Sequence, residues 1–128
     1  MDAKKITPGV FSWNELMTTD VEGAKAFYGG LLGWTLEEDD SCGMPYVIAK
    51  IGDKMVAGIM AKPPMVPAEI PPHWGAYVTV ENVDETAKKA AELGGAVLFP
   101  PTDIPMVGRF CVIKDPQGAA FSLITYAG

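Results

Sequence analysis

The chain has 128 residues, a hydrophobic content of 48%, a charged content of 20% and a formal net charge of −6 at pH 7. This composition is that of a single globular domain with a substantial core, and it excludes a disordered chain. Because phosphate contacts need clustered Lys and Arg, the acidic balance argues against a nucleic-acid partner. No apolar run is long enough to span a membrane, and the N-terminal stretch MDAKKITPG lacks the apolar segment of a signal peptide. We therefore expect a cytoplasmic protein without a membrane partner.

The cysteine and histidine content argues against a disulfide and against structural zinc. Cys42 and Cys111 are far apart in the sequence, and we expect both to be free thiols. His73 is the single histidine and no CxxC pair is present. A structural zinc site is therefore excluded.

The first half of the chain changes from a two-residue period to a helical period at Asp20. Before it, Trp13, Glu15 and Met17 alternate with the intervening residues, which is typical of a strand. After it, apolar residues recur every three or four positions and predict an amphipathic helix that Asp20 caps and Gly33 ends. The apolar positions are Val21, Ala24, Phe27, Tyr28, Leu31 and Leu32. Further strands are predicted at Trp34–Glu38, Tyr46–Ile51 and Met55–Lys62.

The second half repeats this pattern. Asn82 is a plausible cap for a predicted helix, and the sequence Asp115-Pro116-Gln117-Gly118 is typical of a type I turn. The predicted elements are a strand at Trp74–Val80, a helix at Asp84–Leu93, and strands at Ala96–Phe99, Arg109–Ile113 and Ala119–Tyr126, with Pro100–Val107 as a loop or an edge strand.

A constant offset of 62 residues relates the two halves. Val21 corresponds to Val83, and Gly33 corresponds to Gly95. We interpret the chain as one domain of two tandem βαβββ repeats, about 8–62 and 73–126. The connector, 63–72, is rich in proline and is expected to be extended and stiff.

Two motifs resemble those of the glyoxalase/bleomycin-resistance/dioxygenase group, the vicinal oxygen chelate superfamily. One runs from Asp20 through Phe27-Tyr28 to Gly33-Trp34, and the other is Asp115-Pro116-Gln117-Gly118 before the last strand. The resemblance implies an α+β fold in which tandem βαβββ units form an open, cup-shaped, eight-stranded mixed sheet with the helices outside. It also implies a small-molecule site in the cup and a homodimer.

The metal-dependent enzymes of this family hold an ion with residues from the first and last strand of each unit. The resemblance places Trp13, Gly75, Met60 and Ser122 at those positions. An indole, a hydrogen, a thioether and a hydroxyl are not an adequate ligand set for a divalent cation. We therefore expect no metal and no cofactor.

The same register predicts which side chains line the cup. Trp13, Glu15 and Met17 would share the inner face of the first strand. The inner face would also carry Met60, Tyr77, Thr79 and Ser122, whereas Leu16, Ile59, Val78, Val80, Phe121 and Leu123 would pack under the helices. This mixed lining suits a flat organic ligand with a few polar groups.

Glu15 is the most informative of these residues. It could bind a ligand cation or act as a general base, or it could make a structural hydrogen bond or pair with Arg109. Tyr77 and His73 could polarise a carbonyl oxygen, although His73 could equally be a surface residue. Trp13 could stack on the ligand.

The remaining candidates would bind the ligand rather than react with it. Met17 and Met60 form a soft apolar wall or are simply core residues. Thr79 and Ser122 offer hydroxyl groups, and Arg109 could bind an anionic group at the mouth of the cup.

The preferred hypothesis is a metal-independent binding protein that sequesters or senses a small, partly aromatic molecule. The rival hypothesis is an isomerase, epimerase or lyase related to lactoylglutathione lyase, with Glu15 as general base. A third possibility is a structural or regulatory domain whose cup is filled by its own side chains. The sequence identifies neither the ligand nor any turnover, and it does not decide whether the cup forms within one chain or across a dimer.

Overall fold

The computed structural model describes residues 7–40, 45–64 and 66–127, so Cys42 lies outside the described residues. The first series of elements is β1 (Phe11–Thr18), α1 (Val21–Leu32), β2 (Thr35–Asp39), β3 (Tyr46–Ile51) and β4 (Lys54–Ala61). The second series is β5 (His73–Thr79), α2 (Val83–Glu92), β6 (Ala96–Ile104), β7 (Gly108–Lys114) and β8 (Ala120–Tyr126). The strands form an open mixed sheet, which confirms the predicted α+β fold class with two βαβββ series.

The chain divides into two compact units. We call Asn14–Gly75 the first unit, and the segments Met1–Trp13 and Ala76–Gly128 together the second unit. The division falls within β1 and β5 rather than in the proline-rich connector. The interpretation as one domain with repeats at about 8–62 and 73–126 stays a prediction.

The strand order of the first unit is β2-β3-β4-β1, with β1 parallel to β4 and the other neighbours antiparallel. The Asp20 carboxylate caps α1 by accepting a hydrogen bond of 2.9 Å from the Gly23 N–H. Gly33, at a φ of 71°, ends the helix in the left-handed conformation that glycine tolerates best. Both predicted caps are thus confirmed.

The core of the first unit lies between its sheet and α1. Leu16, Val47 and Ile59 are buried there, and Val21, Ala24, Tyr28 and Leu36 pack against them. Of the apolar positions that predicted the helix, Phe27, Leu31 and Leu32 are exposed rather than packed in this core.

The strand order of the second unit is β5-β8-β7-β6, with β5 parallel to β8 and the other neighbours antiparallel. The Asn82 side chain caps α2 through the Glu85 N–H at 3.1 Å, as predicted. The predicted turn is also confirmed, since the Gly118 N–H donates to the Asp115 carbonyl at 3.0 Å. The core contains Val83, Ala87, Cys111, Ile113 and Leu123.

Of the two alternatives for Pro100–Val107, the edge strand is confirmed as far as Ile104. Strand β6 continues through Pro100 and Pro101 because its pairing with β7 shifts register on both sides of Phe99, and a terminal strand tolerates proline. The described part of the connector is folded into turns rather than extended. Its carbonyls of Pro67, Ala68 and Ile70 accept hydrogen bonds from the Lys62 ammonium group, which holds the segment back on itself.

The offset of 62 residues does not extend to the last strand of each unit. Glu15 pairs with Gly58 in the first unit, whereas its counterpart Tyr77 pairs with Ser122 in the second. The offset between the last strands is therefore 122 − 58 = 64. The preceding strands already carry the same offset, because Val47 pairs with Ile59 in the first unit and Cys111 pairs with Leu123 in the second.

Neither described helix has the length and the continuous apolar surface that crossing a membrane would require.

Candidate functional site

The first unit has a sheet face that points away from α1, and three predicted site residues lie on it. Glu15 and Met17 come from β1 and Met60 comes from β4, where Met17 and Met60 are direct strand partners. Because side chains alternate along a strand, these residues lie opposite Leu16 and Ile59, which pack under α1. The structure thus brings Glu15, Met17 and Met60 together.

Glu15 is a buried carboxylate with a tyrosine partner. Only 8% of its surface is exposed, and its Oε2 accepts a hydrogen bond of 2.7 Å from the Tyr46 hydroxyl. This distance is typical of an O–H···O hydrogen bond. Tyr46 was not among the residues predicted from the sequence, although it is the first residue of the correctly predicted strand β3.

Gly58 makes the contact between Tyr46 and Glu15 possible. It is the strand partner of Glu15, and it lies directly beneath the Tyr46 ring and hydroxyl. A β-carbon at residue 58 would overlap the Tyr46 side chain. The absence of a side chain there allows the ring to cross β4 and reach the carboxylate on β1.

A cleft of about 480 Å³ opens at the end of the first unit where β2 stops and β3 starts. Its apolar wall includes Tyr46, Val47, Ile59 and Met60, and its rim carries the acidic side chains of Glu22, Glu38, Asp39 and Asp40. Lys25 forms ion pairs of 3.4 Å with both Glu22 and Glu38. Tyr46 therefore links the buried Glu15 to an open cleft with an acidic rim.

The second unit has an equivalent face with different chemistry. Tyr77, Thr79 and Ser122 are buried on it, and Tyr77 and Ser122 are direct strand partners. The half-buried rings of Phe110 and Phe99 continue the face toward β6. The ring centroids of Tyr77 and Phe110 are 6.3 Å apart, and those of Phe110 and Phe99 are stacked at 5.6 Å. These two phenylalanines were not singled out from the sequence, although the alternation of β7 around Cys111 would have placed Phe110 on this face.

Trp13 and His73 are less buried than Glu15 and Tyr77. Trp13 is half-buried on the part of β1 that belongs to the second unit. His73 is exposed at the start of β5, and its Nδ1 lies 2.9 Å from the Pro71 carbonyl oxygen. Their roles in stacking and catalysis stay predictions.

Arg109 lies on the other face of the second unit's sheet, the one that α2 covers. It alternates with Phe110 along β7, and its guanidinium binds the Asp84 carboxylate through two hydrogen bonds of 2.8 and 3.0 Å. A third hydrogen bond of 3.1 Å joins it to Asp103. These contacts lower the pKa of Asp84 and raise that of Arg109. Arg109 thus links the start of α2 to β6 and β7, whereas its predicted role in anion binding stays a prediction.

The residues of this chain do not fit the metal ion that related enzymes hold. The strand pairing makes Gly58, rather than Met60, the counterpart of Ser122, and glycine adds no donor atom. The other three ligand positions that the resemblance indicates are occupied by Trp13, Gly75 and Ser122. Within the described ranges, no three side chains of His, Cys, Asp or Glu are close enough together to bind an ion.

Comparisons with known proteins agree with this architecture. The sequence profile described as Glyoxalase/Bleomycin resistance protein/Dioxygenase superfamily matches residues 10–123. CFP32 of Mycobacterium tuberculosis, named as a glyoxylase, is 45% identical over 117 residues, which are 91% of this chain and 44% of CFP32. The anthracycline biosynthesis protein DnrV of Streptomyces peucetius is 35% identical over 126 residues, which are 97% of this chain and 45% of DnrV. The chain thus spans about half the length of these relatives.

Similar solved structures support the fold alone. The crystal structure of methylmalonyl-CoA epimerase from Mycobacterium tuberculosis superposes with a TM-score of 0.66 and 17% identity. The superposition covers 100% of this chain and 94% of the epimerase.

We predict that Gly58→Ala destabilises the protein by about 1–3 kcal/mol, because the Tyr46 ring must leave and the buried Glu15 loses its donor. Chemical denaturation measures the change. In a Tyr46→Ala background the same substitution should cost much less, since no ring occupies the space. The matched control is Gly30→Ala, where a β-carbon meets no atom within 4 Å. If Gly58→Ala lowered the free energy of unfolding equally in both backgrounds, Gly58 would not be needed to make room for the Tyr46 ring.

We also predict that the Asp84–Arg109 pair contributes stability that depends on pH. The folded pKa of Asp84 lies below the ordinary value of 3.8, so the contribution is complete above that pH and is lost as the pH falls through the folded pKa. Thermal unfolding should therefore show a lower Tm for Asp84→Asn at neutral pH and a shrinking difference from the wild type below pH 3.8. Asp53→Asn, in an exposed turn, is the control. If the Tm difference between Asp84→Asn and the wild type stayed constant with pH, the stabilisation would not depend on the charge of Asp84.

Proposed function

The chain belongs to the glyoxalase/bleomycin resistance protein/dioxygenase superfamily, and from that premise we propose that it binds a small, partly aromatic organic molecule without a metal ion. It would sequester or sense the molecule in the cytoplasm. The observation that carries the proposal is the cleft of about 480 Å³ whose wall includes Tyr46, the hydrogen-bond donor to the buried Glu15.

The dimensions and lining of the cleft favour a ligand of this kind. Small-molecule sites commonly have volumes of about 300–1,000 Å³, with apolar walls and a few polar groups that fix orientation. Tyr46 offers a ring for stacking, and Met60 offers an apolar, polarisable thioether. A flat aromatic body would fit against these side chains.

The acidic rim narrows the class of ligand. Lys25 interacts with Glu22 and Glu38, whereas Asp39 and Asp40 add further negative charge at the same opening. A protonated amine on the ligand would be attracted there. We therefore propose an aromatic molecule that carries an amine. The relative DnrV is named for anthracycline biosynthesis, so an anthracycline is a suitable probe.

The proposal of metal independence is supported by the chemistry of the donor atoms at the four positions of the family's ion. None of Trp13, Gly58, Gly75 and Ser122 supplies an imidazole or a carboxylate. Binding in the cleft would depend on ring contacts and carboxylates alone.

A second candidate function rests on the buried Glu15 itself. A carboxylate held by a tyrosine hydroxyl at 2.7 Å has a fixed orientation, which a general base needs when it abstracts a proton next to a carbonyl. Several structures with the same fold are named as methylmalonyl-CoA epimerases. An epimerase, isomerase or lyase that uses Glu15 is therefore the alternative.

For the binding function, we predict that Tyr46→Leu weakens the binding of an anthracycline probe about tenfold, or about 1.4 kcal/mol, because the ring that lines the cleft is lost. Isothermal titration calorimetry measures the affinity. The control is Phe110→Leu, which removes a half-buried ring from the second unit. Binding should be unchanged by Phe110→Leu and by excess EDTA. Loss of affinity only in Phe110→Leu would place the ligand elsewhere, and loss in EDTA would overturn metal independence.

For the catalytic alternative, we predict that the wild-type protein exchanges the α-hydrogen of methylmalonyl-CoA or of a 2-oxo acid with deuterated water, and that Glu15→Gln abolishes the exchange. NMR detects the loss of the proton signal. Glu81→Gln, at an exposed position, should retain full exchange. Absence of exchange in the wild type across these probes would exclude Glu15 as a base for them.

A further inference from the structure

The connector has more carbonyl groups than amide donors. Five of the ten residues at 63–72 are prolines, which have a carbonyl oxygen but no backbone N–H. Two turns use part of this backbone, since the Val66 N–H donates to the Pro63 carbonyl and the Ile70 N–H donates to the Pro67 carbonyl. The connector's own backbone therefore offers few hydrogen bonds that could hold it in one conformation.

The Lys62 side chain supplies the missing donors. Its Nζ donates to the carbonyl oxygen of Pro67 at 3.1 Å and to that of Ala68 at 3.3 Å. A third hydrogen bond goes to the carbonyl oxygen of Ile70. An ammonium group has three N–H donors, so the three carbonyl groups satisfy all of them. We call the carbonyl groups of Pro67, Ala68 and Ile70 the carbonyl cradle.

The charge of Lys62 is stabilised by these neutral oxygens rather than by a carboxylate. Within the residues that the structure describes, no carboxylate lies within ion-pair distance of its Nζ, whereas Lys25 and Lys50 both pair with glutamates. Glu69, the single acidic residue at 63–72, is exposed between two residues of the carbonyl cradle. Several neutral acceptors that converge on one charged nitrogen are the arrangement that a binding site for an ammonium group needs.

Both ends of the connector are fixed independently of the carbonyl cradle. At one end, the backbone N–H of Lys62 donates to the Thr18 carbonyl oxygen at 2.9 Å, which continues the pairing of β4 with β1. At the other end, the Trp74 indole N–H donates to the Tyr28 hydroxyl on α1 at 3.1 Å. Because these contacts do not involve the Lys62 ammonium group, loss of that group would release only the segment between them.

From these observations we propose that the connector is a binding site for a primary ammonium group, occupied by the Lys62 side chain, and that this occupation holds the connector closed. Without the ammonium group the connector opens into a loop, and an added primary alkylammonium ion closes it again. The proposal is independent of ligand binding in the cleft, because the cleft wall consists of other residues, including Tyr46 and Met60.

The test is cleavage by glutamyl endopeptidase after Glu69, whose peptide bond lies inside the carbonyl cradle. Proteolysis of a native protein requires local opening of the backbone. Lys62→Ala should be cut after Glu69 at least about tenfold faster than the wild type, with the cleaved bond identified by mass spectrometry of the fragments. The matched control is Lys54→Ala, which removes the ammonium group of an exposed lysine at the start of the same strand and should be cut at the wild-type rate.

Chemical rescue separates an ammonium site from a general effect of Lys62 on stability. Propylammonium chloride should slow the cleavage of Lys62→Ala after Glu69 toward the wild-type rate, because a primary ammonium group refills the carbonyl cradle. Tetramethylammonium chloride at the same concentration carries the same charge but has no N–H donor, so it should leave the rate unchanged. Cleavage after Glu15, which is buried, reports global unfolding and should stay at the wild-type rate in Lys62→Ala.

Three results would overturn the proposal. If Lys62→Ala and the wild type were cut equally fast after Glu69, the connector would be held closed without the ammonium group. If cleavage after Glu15 and after Glu69 accelerated equally, Lys62 would stabilise the whole fold rather than the connector. If both salts or neither salt slowed the cleavage of Lys62→Ala, the carbonyl cradle would not be a site for a primary ammonium group.

Discussion

The parallel pairing of the first and last strands in each unit fixes where every functional side chain lies. Glu15 is opposite Gly58 in the first unit, and Tyr77 is opposite Ser122 in the second. Since the strand period is two residues, a slip by one position would move Leu16 and Ile59 into water and Glu15 under α1. Because one face of the sheet is buried under a helix, the polar and aromatic side chains lie on the other face.

The two units show that equivalent sheet faces can carry side chains of different chemistry. The first unit uses its free face to hold a carboxylate and a tyrosine above a glycine. The second unit fills the equivalent face with hydroxyls and a row of aromatic rings. The buried residues of the two cores remain apolar and mostly aliphatic in both units, because the space between a helix and a sheet tolerates little change in volume. The duplication thus preserves the core and leaves the other face free to change.

The sequence predicted the features that depend on local period and local turn chemistry. The strands, both helix caps and the turn at Asp115 arise from residues close together in the chain, and the structure confirms them. The contact of Tyr46 with Glu15 could not be predicted, because it depends on the pairing of β3 and β1 with β4 between them. The offset likewise changes from 62 to 64 before the third strand of each unit, and this makes Gly58 rather than Met60 the counterpart of Ser122. The exposure of Phe27 and Leu31 on α1 could not be predicted, because a helical period alone does not show which apolar residues a neighbouring element covers.

The hydrogen bond between Tyr46 and Glu15 bears on which proposed function is favoured. A bond from a hydroxyl to an ionised carboxylate is stronger than one between neutral groups, so the pair is best satisfied while Glu15 carries its charge. A general base must give up that charge when it accepts a proton, and the bond would then be weakened at the moment of reaction. A binding site makes no such demand, because a fixed negative charge beside an acidic cleft stabilises a cationic group throughout. In the binding proposal the tyrosine stays the partner of the carboxylate throughout, whereas in the proton-transfer proposal the substrate has to replace the tyrosine as that partner.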